Sequence, residues 1–360
     1  MSADTMRAVV FQGVDEPLEV EEVETPDCGD EEVVVETEAC GVCRSDWHAW
    51  QGDWEWIGVV PTPGLIFGHE PVGRVQEVGA DVDRFEAGDL VTNPFHLGDG
   101  TCRHCRTGHG NRCESGVPMG FVPFQQGAFA ERYAVRYADH NLVSLPEDVD
   151  PVAVAGLGCR FATAFHGLVH RVDVSPGDAV AIHGCGGVGL SAVHVADVLG
   201  ARVIAVDIDS SALERAESLG AAETVDASDV ADVPGAVTAR TESGRGADVS
   251  VDALGVAETV QNSIGCLGKG GQHLQIGMTT SDEAGSVEVP VDRMVFDEQS
   301  YHAAYGAPPT EYDEILRLMD EGRLDPGRIV GDTVSLDEVP EVMERLDDFE
   351  TTGIPVCTTF

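Results

Sequence analysis

Sulfur and imidazole side chains fall close together at three places in this sequence. Cys40-Gly41-Val42-Cys43-Arg44-Ser45-Asp46-Trp47-His48 is followed by Gly68-His69-Glu70 and, much later, by Gly158-Cys159-Arg160-Phe161-Ala162-Thr163. A further run from Asp99 through Cys102 and Cys105 to Cys113 concentrates thiols beside a carboxylate. Ten cysteines would suggest a disulfide framework in a short secreted chain, but the opening Met1-Ser2-Ala3-Asp4 lacks the basic and apolar regions of an export signal. Thiols at ligand spacing in an intracellular protein point to bound metal. Cys28, Cys40, Cys185, Cys266 and Cys357 are expected to be core thiols.

A different chemistry is written at Gly184-Cys185-Gly186-Gly187-Val188-Gly189, which fits the dinucleotide fingerprint G-x-G-x-x-G. Alone that pattern is weak. Here it follows Ala179 to His183, which reads as a short buried strand, and opens an apolar-rich helical segment that runs to Leu199 and ends at Gly200. Gly184, Gly186, Gly187, Val188 and Gly189 would let the backbone approach a pyrophosphate, whose charge then meets the free N–H groups of the helix. Asp207 closes the next strand, Arg202 to Val206, and is placed to accept hydrogen bonds from ribose hydroxyls. A carboxylate there repels a 2′-phosphate, so NAD is favoured over NADP. Asp209 is the better candidate for capping the helix that follows.

These motifs need elements to hold them. Strands at 179–183, 202–206, 224–225, 249–251 and 273–276 alternate with helical segments, so residues 160–300 read as a doubly wound parallel sheet. Residues 1–159 differ: Val-rich runs at 31–36 and 72–78, broken by Gly, Pro and Asp, suggest β-rich and partly barrel-like structure. Residues 301–360, with one helix at 311–319, are expected to rejoin the first domain. The fold class is therefore α/β with two domains, as the length of 360 residues also suggests.

The cysteine- and histidine-bearing segments, taken with the Gly-rich unit between them and the C-terminal return, resemble the zinc-dependent medium-chain alcohol dehydrogenases over nearly the whole chain. The resemblance implies a GroES-like first domain, a Rossmann cofactor domain, and Cys43, His69 and Cys159 as ligands of a catalytic zinc. Two thiolates and an imidazole leave a fourth tetrahedral position open, as catalytic zinc requires. Asp46 would orient the zinc-bound histidine, and Glu70 would be the glutamate that approaches the metal while substrate exchanges. By the same likeness Ser45 and His48 form a proton relay, Arg44 meets the pyrophosphate and Thr163 packs near the nicotinamide. Asp99, Cys102, Cys105 and Cys113 occupy the spacing of four cysteines that hold a structural zinc in relatives, with Asp in the first place. Trp54 and Phe95 correspond to pocket walls of ethanol-type enzymes, which implies small primary alcohols and their aldehydes as substrates. Residues Gly353 to Val356 lack the basic side chain many relatives carry there. Relatives form dimers or tetramers, so a homodimer or homotetramer is expected.

Readings that share these motifs are a sugar or polyol dehydrogenase of the same family, a zinc-free quinone reductase, and a noncatalytic NAD-binding regulatory protein. Aromatic crowding speaks against the first, and the set Cys43, His69, Cys159 against the other two.

Bulk composition adds the setting. With 64 Asp and Glu against 21 Lys and Arg, the net charge is −43, and Lys269 is the sole lysine. Such a chain does not suit nucleic acid as a partner. No stretch approaches the roughly 18 consecutive apolar residues of a membrane span. The pattern resembles proteins of salt-accumulating halophiles: in molar salt the Debye length falls to about 3 Å and carboxylates cease to repel one another. A cytoplasmic location follows from the same features.

Overall fold

A computed structural model of the chain describes residues 4–14, 16–347 and 353–360, so the opening Met1 to Ala3 lies outside the described residues. Contacts divide the chain into two units: Met1–Cys159 with Gly306–Arg317 and Asp325–Phe360, and Arg160–Tyr305 with Leu318–Leu324.

The second unit is built on six parallel strands in the spatial order Glu223–Asp226, Arg202–Asp207, Ala179–His183, Ala247–Asp252, Leu267–Gln275 and Ser300–Ala303. All five residues of Ala179–His183 are buried, which is why Ala179 to Ile182 read as an unbroken apolar run instead of an alternation. Ala181, Ile204, Val206 and Val225 pack with Val233 and Val237 on one side of the sheet. From the central strand the chain winds outward through Arg202–Asp207 and Glu223–Asp226, then crosses back to Ala247–Asp252. The winding therefore reverses between Ala179–His183 and Ala247–Asp252, at the carboxyl ends of which a sheet of this kind opens a crevice. The Gly-rich turn leads out of the first of these strands into the helix Gly187–Val198. Asp209 caps the next helix, Ser210–Ser218, by accepting from the Ser211 N–H at 2.9 Å.

In the first unit a seven-stranded sheet runs in the order Val330–Ser335, Ile354–Thr359, Glu32–Gly41, Glu70–Val78, Leu90–Thr92 and Val143–Ser144, with Arg132–Arg136 also paired to Glu32–Gly41. Its register positions the chemistry. Gly41 lies opposite Glu70 and Cys40 opposite Pro71 in an antiparallel pair, so the residues after one strand, Val42 and Cys43, emerge beside the residue before the other, His69. Gly68 takes φ +95°, and a Cβ there would stand 2.7 Å from the Phe129 backbone nitrogen. Only glycine allows that left-handed turn against the neighbouring Phe129 backbone.

The third segment arrives on a helix. Asp150 caps Pro151–Gly156 by accepting from the Val152 N–H at 3.0 Å, with proline at the first position. The helical run then kinks at Gly158 and delivers Cys159. The run Pro151–Arg171 is long and apolar enough to cross a membrane, yet 83% of its apolar window is buried inside the protein, as in a core helix. Cys40, Cys185, Cys266 and Cys357 are buried, whereas Cys28 is only half-buried.

Candidate metal and cofactor sites

Asp46 sits in the first turn of the short helix Arg44–Trp50 and is fully buried. Its Oδ2 accepts from the Cys43 N–H at 3.1 Å, while Oδ1 accepts from the Gly68 N–H at 3.1 Å and bonds His69 Nδ1 at 2.9 Å. A carboxylate against Nδ1 places the ring proton there and leaves Nε2 with a free lone pair. Nε2 is buried and has no hydrogen-bond partner. The sulfurs of Cys43 and Cys159 and a ring nitrogen of His69 all lie within 4.8 Å of one another.

A buried imidazole nitrogen without a partner is costly. Facing two sulfurs, it forms a donor set of the kind that suits zinc. Burial acts to lower the His69 pKa, but the Asp46 carboxylate and the Cys43 thiol outweigh it and raise the pKa well above its usual value. The negative surroundings that favour a proton on this ring favour a cation equally. Cys40 is different in kind: burial first, then the Asp46 charge, pushes its thiol far up, so it stays protonated and inert.

Glu70 is buried beside the third segment, and its Oε1 accepts from the Cys159 N–H at 2.8 Å. Cβ atoms on Gly41 and Gly158 would fall 2.3 Å from Glu70 Oε2 and 2.4 Å from Glu70 Cβ respectively. Glycine on either side is what lets this side chain reach Cys159.

Aromatic rings flank His69. Phe95 meets His69 edge-on at 5.9 Å and Phe121 lies 5.0 Å from it. Trp54 is buried, 6.4 Å from Phe121, and stacks on His48 at 5.0 Å. His48 Nδ1 bonds Asp53 Oδ2 at 2.8 Å. Burial lowers the His48 pKa despite that carboxylate, so the ring is neutral at pH 7. Ser45 is half-buried in the same helix turn as Asp46. Phe121 and Asp53 were not evident from the sequence. Phe121 belongs to no motif, and Asp53 lies beyond the end of the His48 helix, where spacing alone assigns no contact.

A second donor cluster brings Asp99, Cys102, Cys105 and Cys113 within 4.8 Å of one another. Sulfur separations are 3.6 Å for Cys102 to Cys105 and 3.9 Å for Cys102 to Cys113, and Asp99 Oδ1 lies 3.6 Å from Cys105 Sγ. These distances are far beyond a disulfide, yet a tetrahedron of thiolates held at about 2.3 Å from a metal has edges of about 3.8 Å. Hydrogen bonds from the Thr101 and Cys102 N–H groups, the first named being the stronger, hold the Asp99 carboxyl well below its usual range. Burial and the neighbouring thiols push Cys105 up to about 12. Crowded sulfurs of this kind ionise together only around a cation.

At the Gly-rich turn, Gly186 is the extended residue before the helix, and nothing lies within 4 Å of the position its Cβ would take. A Cβ on Gly189 would overlap the Gly184 carbonyl oxygen at 1.7 Å, which fixes the close approach of helix and strand. Val188 follows in the first turn. Asp207 Oδ2 accepts from the Cys185 N–H at 2.6 Å, and its Oδ1 from the Ile208 and Asp209 N–H groups. Thr163 is buried in the helix Ala162–Phe165. Arg44 Nη1 donates to the Leu346 carbonyl at 2.6 Å and its guanidinium lies 4.5 Å over Trp47.

Comparison with known proteins identifies the family. Residues 29–147 match the alcohol dehydrogenase GroES-like domain, and residues 187–321 match the zinc-binding dehydrogenase family. The chain is 31% identical to an alcohol dehydrogenase of Geobacillus stearothermophilus over 350 residues, 97% of each chain. It is 29% identical to an NAD-dependent alcohol dehydrogenase of Sulfurisphaera tokodaii over 355 residues, 97% of this chain and 98% of that one. The solved alcohol dehydrogenase of Thermus sp. ATN1 superposes with a TM-score of 0.89 at 33% identity, covering 99% of this chain and 100% of the other.

Proposed function

We propose, from the premise that this chain belongs to the zinc-type medium-chain alcohol dehydrogenase family and is an NAD-dependent oxidoreductase, that it interconverts small primary alcohols and their aldehydes. The observation that carries the proposal is the buried, unpartnered Nε2 of a His69 ring that has a nitrogen within 4.8 Å of the sulfurs of Cys43 and Cys159. Cys43, His69 and Cys159 hold a catalytic zinc in this reading, within the unit Met1–Cys159, Gly306–Arg317 and Asp325–Phe360; a boundary at residue 301 would cut the strand Ser300–Ala303, which pairs in the other unit's sheet. The unit Arg160–Tyr305 with Leu318–Leu324 holds NAD. When bound, the metal supplies Lewis acidity that eases loss of the alcohol proton, and NAD accepts the hydride.

The residues around the metal do the remaining work. Asp46 fixes the His69 ring, and Glu70 holds the Cys159 backbone and stands near enough to serve during exchange at the metal. Ser45 and His48 pass the hydroxyl proton outward, with Asp53 orienting the His48 ring that receives it. Trp54, Phe95 and Phe121 exclude water and select an apolar substrate body. A polyol would need several polar partners where these rings stand.

Asp207 reads the ribose and favours NAD over NADP, while Arg44 and Thr163 assist at the pyrophosphate and nicotinamide. Asp99, Cys102, Cys105 and Cys113 hold a second, structural zinc. A homodimer or homotetramer is supported by the exposed Val291, Val295 and Phe296, which lie next to the edge strand Ser300–Ala303. Free thiols throughout suit a reducing cytoplasm. The acidic surface is an adaptation to a salt-rich interior.

The direct test is a steady-state panel of ethanol, benzyl alcohol, sorbitol and glucose with NAD and NADP in concentrated potassium chloride. Turnover of the simple alcohols with NAD supports the proposal. A preference for glucose would overturn the substrate assignment, and a preference for NADP the role of Asp207.

A further inference from the structure

The side chain of Arg160 passes where Gly187 lacks a Cβ. A Cβ there would stand 2.7 Å from Arg160 Cδ, 3.4 Å from Nη1 and 3.5 Å from Nε, so the guanidinium lies along the first turn of Gly187–Val198. Arg160 is only 6% exposed. The chain, of net charge −43, thus brings a guanidinium to the start of this helix. One residue earlier, Gly186 leaves the loop backbone open. The loop also carries the Asp207 carboxylate on the Cys185 N–H, so an incoming pyrophosphate meets one fixed negative charge.

We infer that Arg160 is a cofactor-binding residue whose guanidinium pairs with the pyrophosphate of the nicotinamide dinucleotide at the start of this helix. The inference rests on the reading of the Gly-rich loop as the NAD site. Helix N–H groups and dipole attract any anion. A planar guanidinium adds paired donors at a spacing that matches two phosphate oxygens.

Calorimetric binding of ADP and of adenosine to the intact protein tests this, for the parent, Arg160→Gln and Arg160→Lys at one fixed salt concentration. Arg160→Gln is expected to weaken ADP about 10- to 100-fold, the range for a charged hydrogen-bond partner, and to leave adenosine unchanged. Arg160→Lys, which keeps the charge, should show a smaller loss, again confined to ADP; it decides the matter alone if the glutamine variant does not fold. Unchanged ADP affinity in the variants overturns the assignment. So does an equal loss for adenosine, which marks a disturbed loop and not a missing charge. A parent that binds neither nucleotide removes the NAD reading itself, and the role of Arg160 with it.

Discussion

Asp46 and His69 are joined by a 2.9 Å hydrogen bond in which both partners are almost wholly buried. The same carboxylate takes the Cys43 and Gly68 N–H groups. One side chain thus ties together the segments that carry Cys43 and His69.

Asp46→Asn keeps the size of the side chain and removes its charge. Metal affinity, read by competition with a chromophoric chelator, is expected to fall about 10- to 100-fold, the usual cost of losing the partner of a ligating histidine. Retention of parental affinity would mean that His69 is not held for a metal.

Gly158→Ala places a methyl carbon where Glu70 Cβ already stands, at 2.4 Å. Overpacking of this sort costs about 1–3 kcal/mol. Because Glu70 and Cys159 must both shift, metal content should fall along with the unfolding free energy. A variant that keeps full metal and full stability would show that the kink at Gly158 tolerates a side chain.

How much of this was legible in advance depends on how local each feature is. The parallel sheet of the second unit could be read because its central strand, Ala179–His183, is buried on both faces and its helix follows at once. The sheet of the first unit could not: Glu32–Gly41 pairs with Glu70–Val78, Arg132–Arg136 and Ile354–Thr359, and no short-range pattern records such distant partners. The same division holds in the sites. Cys43, His69, Cys159 and the cluster from Asp99 to Cys113 were singled out by the resemblance of their segments to the zinc-binding motifs of the family. Phe121 against His69 and Arg160 against Gly187 are products of tertiary packing, and Asp53 against His48 of the local turn after the helix Arg44–Trp50, all carried by common residue types at unremarkable spacing.

Two buried histidines set a pH dependence. Burial, then the charge of His273, lowers His183 to about 3, while burial lowers His273 to about 4 against the pull of Gln275. The folded state therefore declines protons that the unfolded chain accepts below pH 6.5. Their contribution is fully present above that pH and is lost as pH falls, at up to about 1.4 kcal/mol per pH unit for each ring. Urea unfolding from pH 6.5 to 4 at constant salt should give a shallower slope for His183→Gln than for the parent. Parallel slopes would contradict the neutral state assigned to His183.

Salt sets another. With −43 charges on 360 residues, dilution from molar salt to about 0.01 M lengthens the Debye distance from about 3 to 30 Å and brings the carboxylates into mutual repulsion. Circular dichroism is expected to report loss of structure on dialysis into dilute buffer, reversed by potassium chloride. An unchanged spectrum and full activity there would refute the halophilic reading.

Most directly, Cys43→Ala can be assayed for metal by mass spectrometry under native conditions, alongside alcohol-dependent NADH formation. The account predicts that the catalytic ion and the turnover disappear together, with the cluster at Asp99 to Cys113 unaffected. Alcohol oxidation at the parental rate by the altered protein would contradict it.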